Sequence, residues 1–110
     1  MATAKIPSTT IYDSEWKTLT TASSTGVLRY RKIGKVVYIE ASALTATHNT
    51  TLGTMPEGFR PAYRHTAPKA FPLAFNGYVN MPTDGTIVPI FQSGTSTTDN
   101  LYFSTSYITD

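Results

Sequence analysis

The side chains able to do chemistry are seven acids, two histidines and a supply of serines; cysteine is absent. The acids are Asp13, Glu15, Glu40, Glu57, Asp84, Asp99 and Asp110. Glycoside hydrolysis needs two carboxyl groups across one sugar site. Glu57 and Asp84 fall in turn signals, Pro-Glu-Gly and Asp-Gly, and Glu40 has an expected partner in Arg29. No two acids make a pair by spacing. His48 and His65 lie far apart, and neither sits in a ligand-spaced motif, so no metal or other cofactor is expected. No Gly-x-Ser-x-Gly elbow is present. The chain reads as non-catalytic.

Saccharide binding asks for less. An aromatic face stacks on the apolar face of a sugar, and short polar side chains or arginine bond its hydroxyls or phosphates. Seven tyrosines and one tryptophan are available. Loops on rigid sheets usually carry binding, which singles out three stretches: His48 and Asn49; Tyr63, Arg64 and His65; and Asp99, Asn100 and Tyr102. Arg64 and a net charge of +2 would suit a phosphate-bearing polymer such as teichoic acid. Each candidate has a plainer role. Trp16 suits a core or a subunit contact, His48 a solvated loop, Tyr63 and Arg64 an interface between subunits, and Asp99-Asn100 a turn.

The elements that must hold these residues read as strands. Charged residues are 15% of the chain, below the usual quarter, with Thr and Ser in their place, which suits β-structure. No window shows helical periodicity, no apolar run would cross a membrane, and no signal peptide is visible. The absence of cysteine fits folding in a reducing cytoplasm.

Gly26 to Ala43, GVLRYRKIGKVVYIEASA, forms the clearest hairpin. A two-residue Gly34-Lys35 turn sets Ile33 opposite Val36, Leu28 and Tyr30 opposite Ala41 and Ile39, and Arg29 opposite Glu40. A turn at Ile33-Gly34 would oppose Lys32 and Lys35, and like charges directly opposite are disfavoured. Leu28, Tyr30, Val37 and Ile39 therefore face inward, and Arg29, Arg31, Tyr38 and Glu40 outward. Tyr38 beside Arg31 suits a cross-strand cation–π pair. Four of the nine basic residues lie between Arg29 and Lys35. They read as a solvated hairpin edge that discourages sheet-to-sheet aggregation, not as a nucleic-acid surface.

Residues 1–13 read as a linker or arm, and 14–110 as a single domain. WKTLT (16–20) is a first strand with Trp16 and Thr18 on one face. LTATHNTT (44–51) reads as a polar connection. Pro56-Glu57-Gly58 marks a turn after which Phe59 caps the core. Pro68 and Pro72 confine 62–75 to an edge strand or an irregular crossing, and Pro89 argues for an edge or bulge in TIVPIFQ (86–92). Asn76-Gly77 and Asp84-Gly85 are hairpin signals. Residues 93–100 read as a loop. LYFSTSYI (101–108) is the last strand, with Leu101, Phe103 and Thr105 on one face and Tyr102, Ser104 and Ser106 on the other. Phe71, Phe75, Phe91 and Phe103 are core candidates. The pattern is an all-β antiparallel sandwich, jelly-roll-like, of seven to eight short strands.

Several segments in order resemble a known family: Trp16 with Leu19, RYRKIGKVVYI (29–39), LGTMPEGFRPAY (52–63), NGYVNMPTDGTI (76–87) and LYFSTSYI (101–108). Together they are similar to the C-terminal receptor-binding (head) domains of tail, baseplate and tail-fibre proteins from phages and prophages of Gram-positive bacteria. The resemblance spans nearly the whole chain from Trp16, with PEGFRP and DGTI its most specific blocks. It implies a β-sandwich at the far end of a virion tail, commonly a homotrimer, joined upstream to other tail proteins. It also implies binding to a host cell-wall polysaccharide or teichoic acid. The matched motifs are turns, strands and core aromatics, so no ligand residue is carried over. Nucleic acid and membrane insertion are not expected as partners.

Overall fold

A computed structural model describes residues 11–68, 77–91 and 98–109, without the side chains of 91 and 98–100. Eight strands follow in order: β1 Lys17–Leu19, β2 Val27–Ile33, β3 Val36–Thr47, β4 Gly53–Thr54, β5 His65–Pro68, β6 Gly77–Met81, β7 Thr86–Phe91 and β8 Thr98–Ile108. They form two four-stranded antiparallel sheets. The front sheet runs β1-β2-β3-β8 and the back sheet β4-β7-β6-β5. The fold is an all-β sandwich. No helix among the described residues is long and apolar enough to cross a membrane.

The β2–β3 hairpin has the expected register, with Leu28 opposite Ala41, Arg29 opposite Glu40, Tyr30 opposite Ile39 and Ile33 opposite Val36. Gly34 takes φ +61 at the first turn position, which a Cβ would disfavour. Leu28, Tyr30, Val37 and Ile39 are buried, and Arg29, Tyr38 and Glu40 are exposed. They meet Met55, Ala67, Val79, Met81 and Ile87 from the back sheet and its approaches. Leu101, Phe103 and Tyr107 complete the inner layer from β8.

The stretch 44–51 departs from the expected connection. Leu44 to Thr47 continue β3, and Leu44 and Ala46 are buried. A bulge between Ala41 and Leu44, with Ala43 at φ +58, adds one residue to the strand. That residue flips the inward parity from odd to even positions, so strict alternation from Val37 onward breaks where the strand does not. Gly26 lies against the bulge. A Cβ there would run into the backbone of Ser42 and Ala43, and φ is +73.

Residues 98–100 also differ from the expected loop. They open β8, Thr98 opposite Thr47, Asp99 opposite Ala46 and Asn100 opposite Thr45. Extending β3 past the bulge gives them a partner. Pro68 sits on β5, the edge of the back sheet, as expected. Pro89 does not lie on an edge strand: β7 is interior, but β4 pairs only as far as Ile87. Beyond it, the Pro89 carbonyl accepts from Asn49 N at 2.7 Å, and no donor is needed from the proline. The Asn76 signal, Phe71, Phe75 and the Phe91 side chain lie outside the described residues.

Two fastenings close the front sheet. The 56–59 turn bonds Phe59 N to Pro56 O at 3.0 Å, with Gly58 at φ +90. Phe59 packs edge-on to Tyr30, centroids 5.1 Å apart, and its carbonyl accepts from the Tyr107 hydroxyl at 2.6 Å. At the other edge, sheet pairing reaches back to Tyr12, whose carbonyl accepts from Gly34 N at 2.8 Å. Asp13 pairs with Ile33 and takes both guanidinium bonds of Arg31, at 2.9 and 2.6 Å.

Candidate functional site

Alternation decides what the outward face of the front sheet carries. With Val37, Ile39 and Ala41 turned in, β3 turns out Tyr38 and Glu40. With Phe103 and Tyr107 turned in, β8 turns out Ser104 and Ser106. Because Tyr38 opposes Ser106 and Glu40 opposes Ser104, these four side chains form one block. Trp16, just before β1, reaches the same block and walls it. Together they line an open groove of about 370 Å³, floored at Ile39 and Thr105.

Arg29 ties the wall together. Its guanidinium lies over the Trp16 ring, 4.9 Å from the centroid, and its Nη2 bonds Glu40 Oε1 at 2.6 Å. The expected partner of Glu40 is confirmed. The expected stacking of Arg31 on Tyr38 gives way to the Asp13 fork, because a bidentate charge-assisted pair outweighs an exposed cation–π contact. Among the described residues, the Tyr38, Ser104 and Ser106 hydroxyls and Glu40 Oε2 make no protein hydrogen bond. Two half-exposed aromatic faces thus border four open donor or acceptor atoms. That arrangement suits a polyhydroxylated ring.

The loop candidates do not converge. Tyr63 is 85% exposed, beside the Pro61–Thr109 bridge at one end of the sandwich. Arg64 donates from Nε to Asn80 Oδ1 at 2.8 Å on the outer face of the back sheet. His65 turns the other way, between the sheets. Its Nε2 lies 2.7 Å from Thr105 Oγ1 and its ring 5.6 Å from that of Tyr107. Burial holds its pKa below the ordinary imidazole value. The pleat therefore splits this trio. His48 and Asn49 turn the chain at the opposite end, after β3; Asn49 takes φ +55, and the His48 carbonyl accepts from the Thr50 hydroxyl at 3.1 Å. Asp99 and Asn100 have strand positions, and their side chains lie outside the described residues. Tyr102 faces outward on β8, two residues from Ser104 on the groove's own row.

The groove residues were legible singly, as outward positions of their strands. Their union depended on β8 pairing with β3, a long-range choice with no local signal.

Among the described residues, the other acids are engaged in turns or ion pairs, or stand exposed. Asp13 is held below its ordinary pKa by its bonds from Arg31 and from Glu15 N. Asp84 is held low by bonds from the Thr86 backbone and hydroxyl. Among the described residues, no three His, Asp or Glu side chains cluster as a metal site would require.

No family model matches the chain, and no curated protein does. Among solved structures, the fold matches the head domain of phage bIL170, described among the receptor-binding domains of lactococcal phages. The TM-score is 0.57 at 22% identity, covering 86% of this chain and 97% of that one. At that identity the likeness establishes the fold.

Proposed function

We propose that this chain is the receptor-binding domain of a phage tail and that it holds a host cell-surface saccharide in the Trp16–Tyr38 groove without catalysing a reaction on it. The observation that carries the reading is the groove itself: two aromatic faces beside open Tyr38, Ser104, Ser106 and Glu40 atoms on a rigid sheet. The sandwich shared with a lactococcal phage head domain supports the setting. A hydrolytic role is disfavoured, because Glu40 is engaged by Arg29 and no second acid among the described residues lines the groove. In this reading the domain acts at the tail tip of the virion, among other tail proteins.

A second observation favours self-association, a homotrimer by the family resemblance. At the hairpin end of the same face, Ile33, Val36 and Ile108 align across three strands, and Ile11 lies near the Gly34 turn. Ile11 and Ile108 are more than 60% exposed. Contiguous apolar surface of this kind marks contact sites. On this account Tyr63 belongs to the subunit contact and not to a ligand.

The test is binding of the purified domain to cell-wall polysaccharides and teichoic acids from a panel of Gram-positive strains, lactococci first, with molecular mass recorded in the same buffer. Saturable binding to one strain's polymer, lost in Trp16→Ala, is expected. A well-folded domain that binds no polymer in the panel would leave a structural tail module as the better account.

A further inference from the structure

Resting on that reading, we propose that the ligand is an extended saccharide chain lying along β3, which makes a second contact in a hydroxyl-lined hollow at the far end of the strand. Beyond the bulge, β3 turns out Thr45 and Thr47, on the same outward row as Tyr38 and Glu40. With Ser23, Ser24 and Thr51 they line a hollow of about 150 Å³. Among the described residues its lining carries hydroxyls and no charged side chain, a composition that suits neutral sugar hydroxyls.

The hollow is built in advance of any ligand. Ser23 Oγ accepts from Thr45 N at 2.9 Å, and Thr25 Oγ1 lies 2.9 Å from Thr45 Oγ1 and donates to Ala43 O at 3.1 Å. Ala22 N bonds Leu52 O at 2.7 Å and fixes the loop from below. The Ser24, Thr47 and Thr51 hydroxyls make no hydrogen bond among the described residues. Fixed walls with open hydroxyls spare a ligand the cost of ordering its site.

Spacing and direction join the two places. The groove is centred level with Thr105 and the hollow level with Asp99. Six residues of strand separate them, about 20 Å. One sugar ring cannot touch both, but a short oligosaccharide can. Tyr102 faces outward between them, opposite the bulge, and offers an aromatic surface midway.

The test uses size-graded fragments from partial hydrolysis of the cell-wall polysaccharide that binds in the panel, titrated against the domain by calorimetry. Affinity should rise about tenfold once fragments span the 20 Å, the effect of one added contact worth about 1.4 kcal/mol. The double variant Thr47→Val with Thr51→Val keeps β-branched side chains and removes two hydroxyls. It should erase that rise and leave the short fragments unchanged. Full affinity in a mono- or disaccharide, or an unaltered rise in the double variant, overturns the proposal while leaving the groove standing if Trp16→Ala still abolishes binding. Absence of binding at every length overturns both.

Discussion

Arg29 stands between Trp16 and Glu40, its guanidinium over the indole at 4.9 Å and its Nη2 on the carboxylate at 2.6 Å. At this exposure the ion pair contributes little to stability, about 0.5 kcal/mol. Its effect is to fix the facing surfaces of the groove.

On the proposed reading, Trp16 serves recognition more than folding. It is 37% exposed and outside the core. Trp16→Ala should shift the midpoint of chemical denaturation little and weaken saccharide binding by about tenfold or more. Arg29→Ala should weaken binding less, since it frees the indole without removing it. A Trp16→Ala variant that binds normally by calorimetry would move the site off this face.

The bulge in β3 makes Gly26 structurally obligatory. Gly26→Ala must place a methyl against the backbone of Ser42 and Ala43 at positive φ, so a loss of about 2 kcal/mol or more is expected. Gly58 also has positive φ but open space around a Cβ. Gly58→Ala should cost only about 1 kcal/mol. Urea denaturation of the two variants side by side separates steric clash from backbone strain.

Leu44 tests the continuation of β3. It is 1% exposed and packs in the main cluster. Leu44→Ala should cost about 3 kcal/mol, the usual penalty for a core cavity. A residue in a solvated loop would cost almost nothing, so thermal melting distinguishes the two placements.

His65 gives stability a pH dependence. Burial lowers its folded pKa below 6.5, so the unfolded chain binds the proton more readily. Stability is full above about pH 6.5 and falls as pH drops toward the folded value. Asp13 and Asp84 have lowered pKa values from a reference of 3.8. Their contribution is present above that value and is lost only in stronger acid. His65→Gln should flatten denaturation midpoints measured between pH 6.5 and 5 and leave the acid limb below pH 4. A wild-type profile already flat in the upper window would contradict this.

Residue patterns alone were enough for the strand class, the β2–β3 register, the Arg29–Glu40 pair and the common face of Leu101, Phe103 and Thr105 on β8. Each rests on local rules: alternation, turn chemistry and charge opposition across a short hairpin. Local rules stopped at the Ser42–Ala43 bulge, where one added residue reverses parity and disguises Leu44 to Thr47 as a polar connection. The placement of β8 beside β3 emerges in the folded chain alone. That pairing brings Ser104 and Ser106 to Tyr38 and Glu40, turns residues 98–100 into strand, and divides Arg64 from His65 across a sheet. Contacts between residues some sixty positions apart are selected by the burial of both sheets at once. No window of sequence carries that choice, and so the candidate site was visible only as separate outward-facing residues.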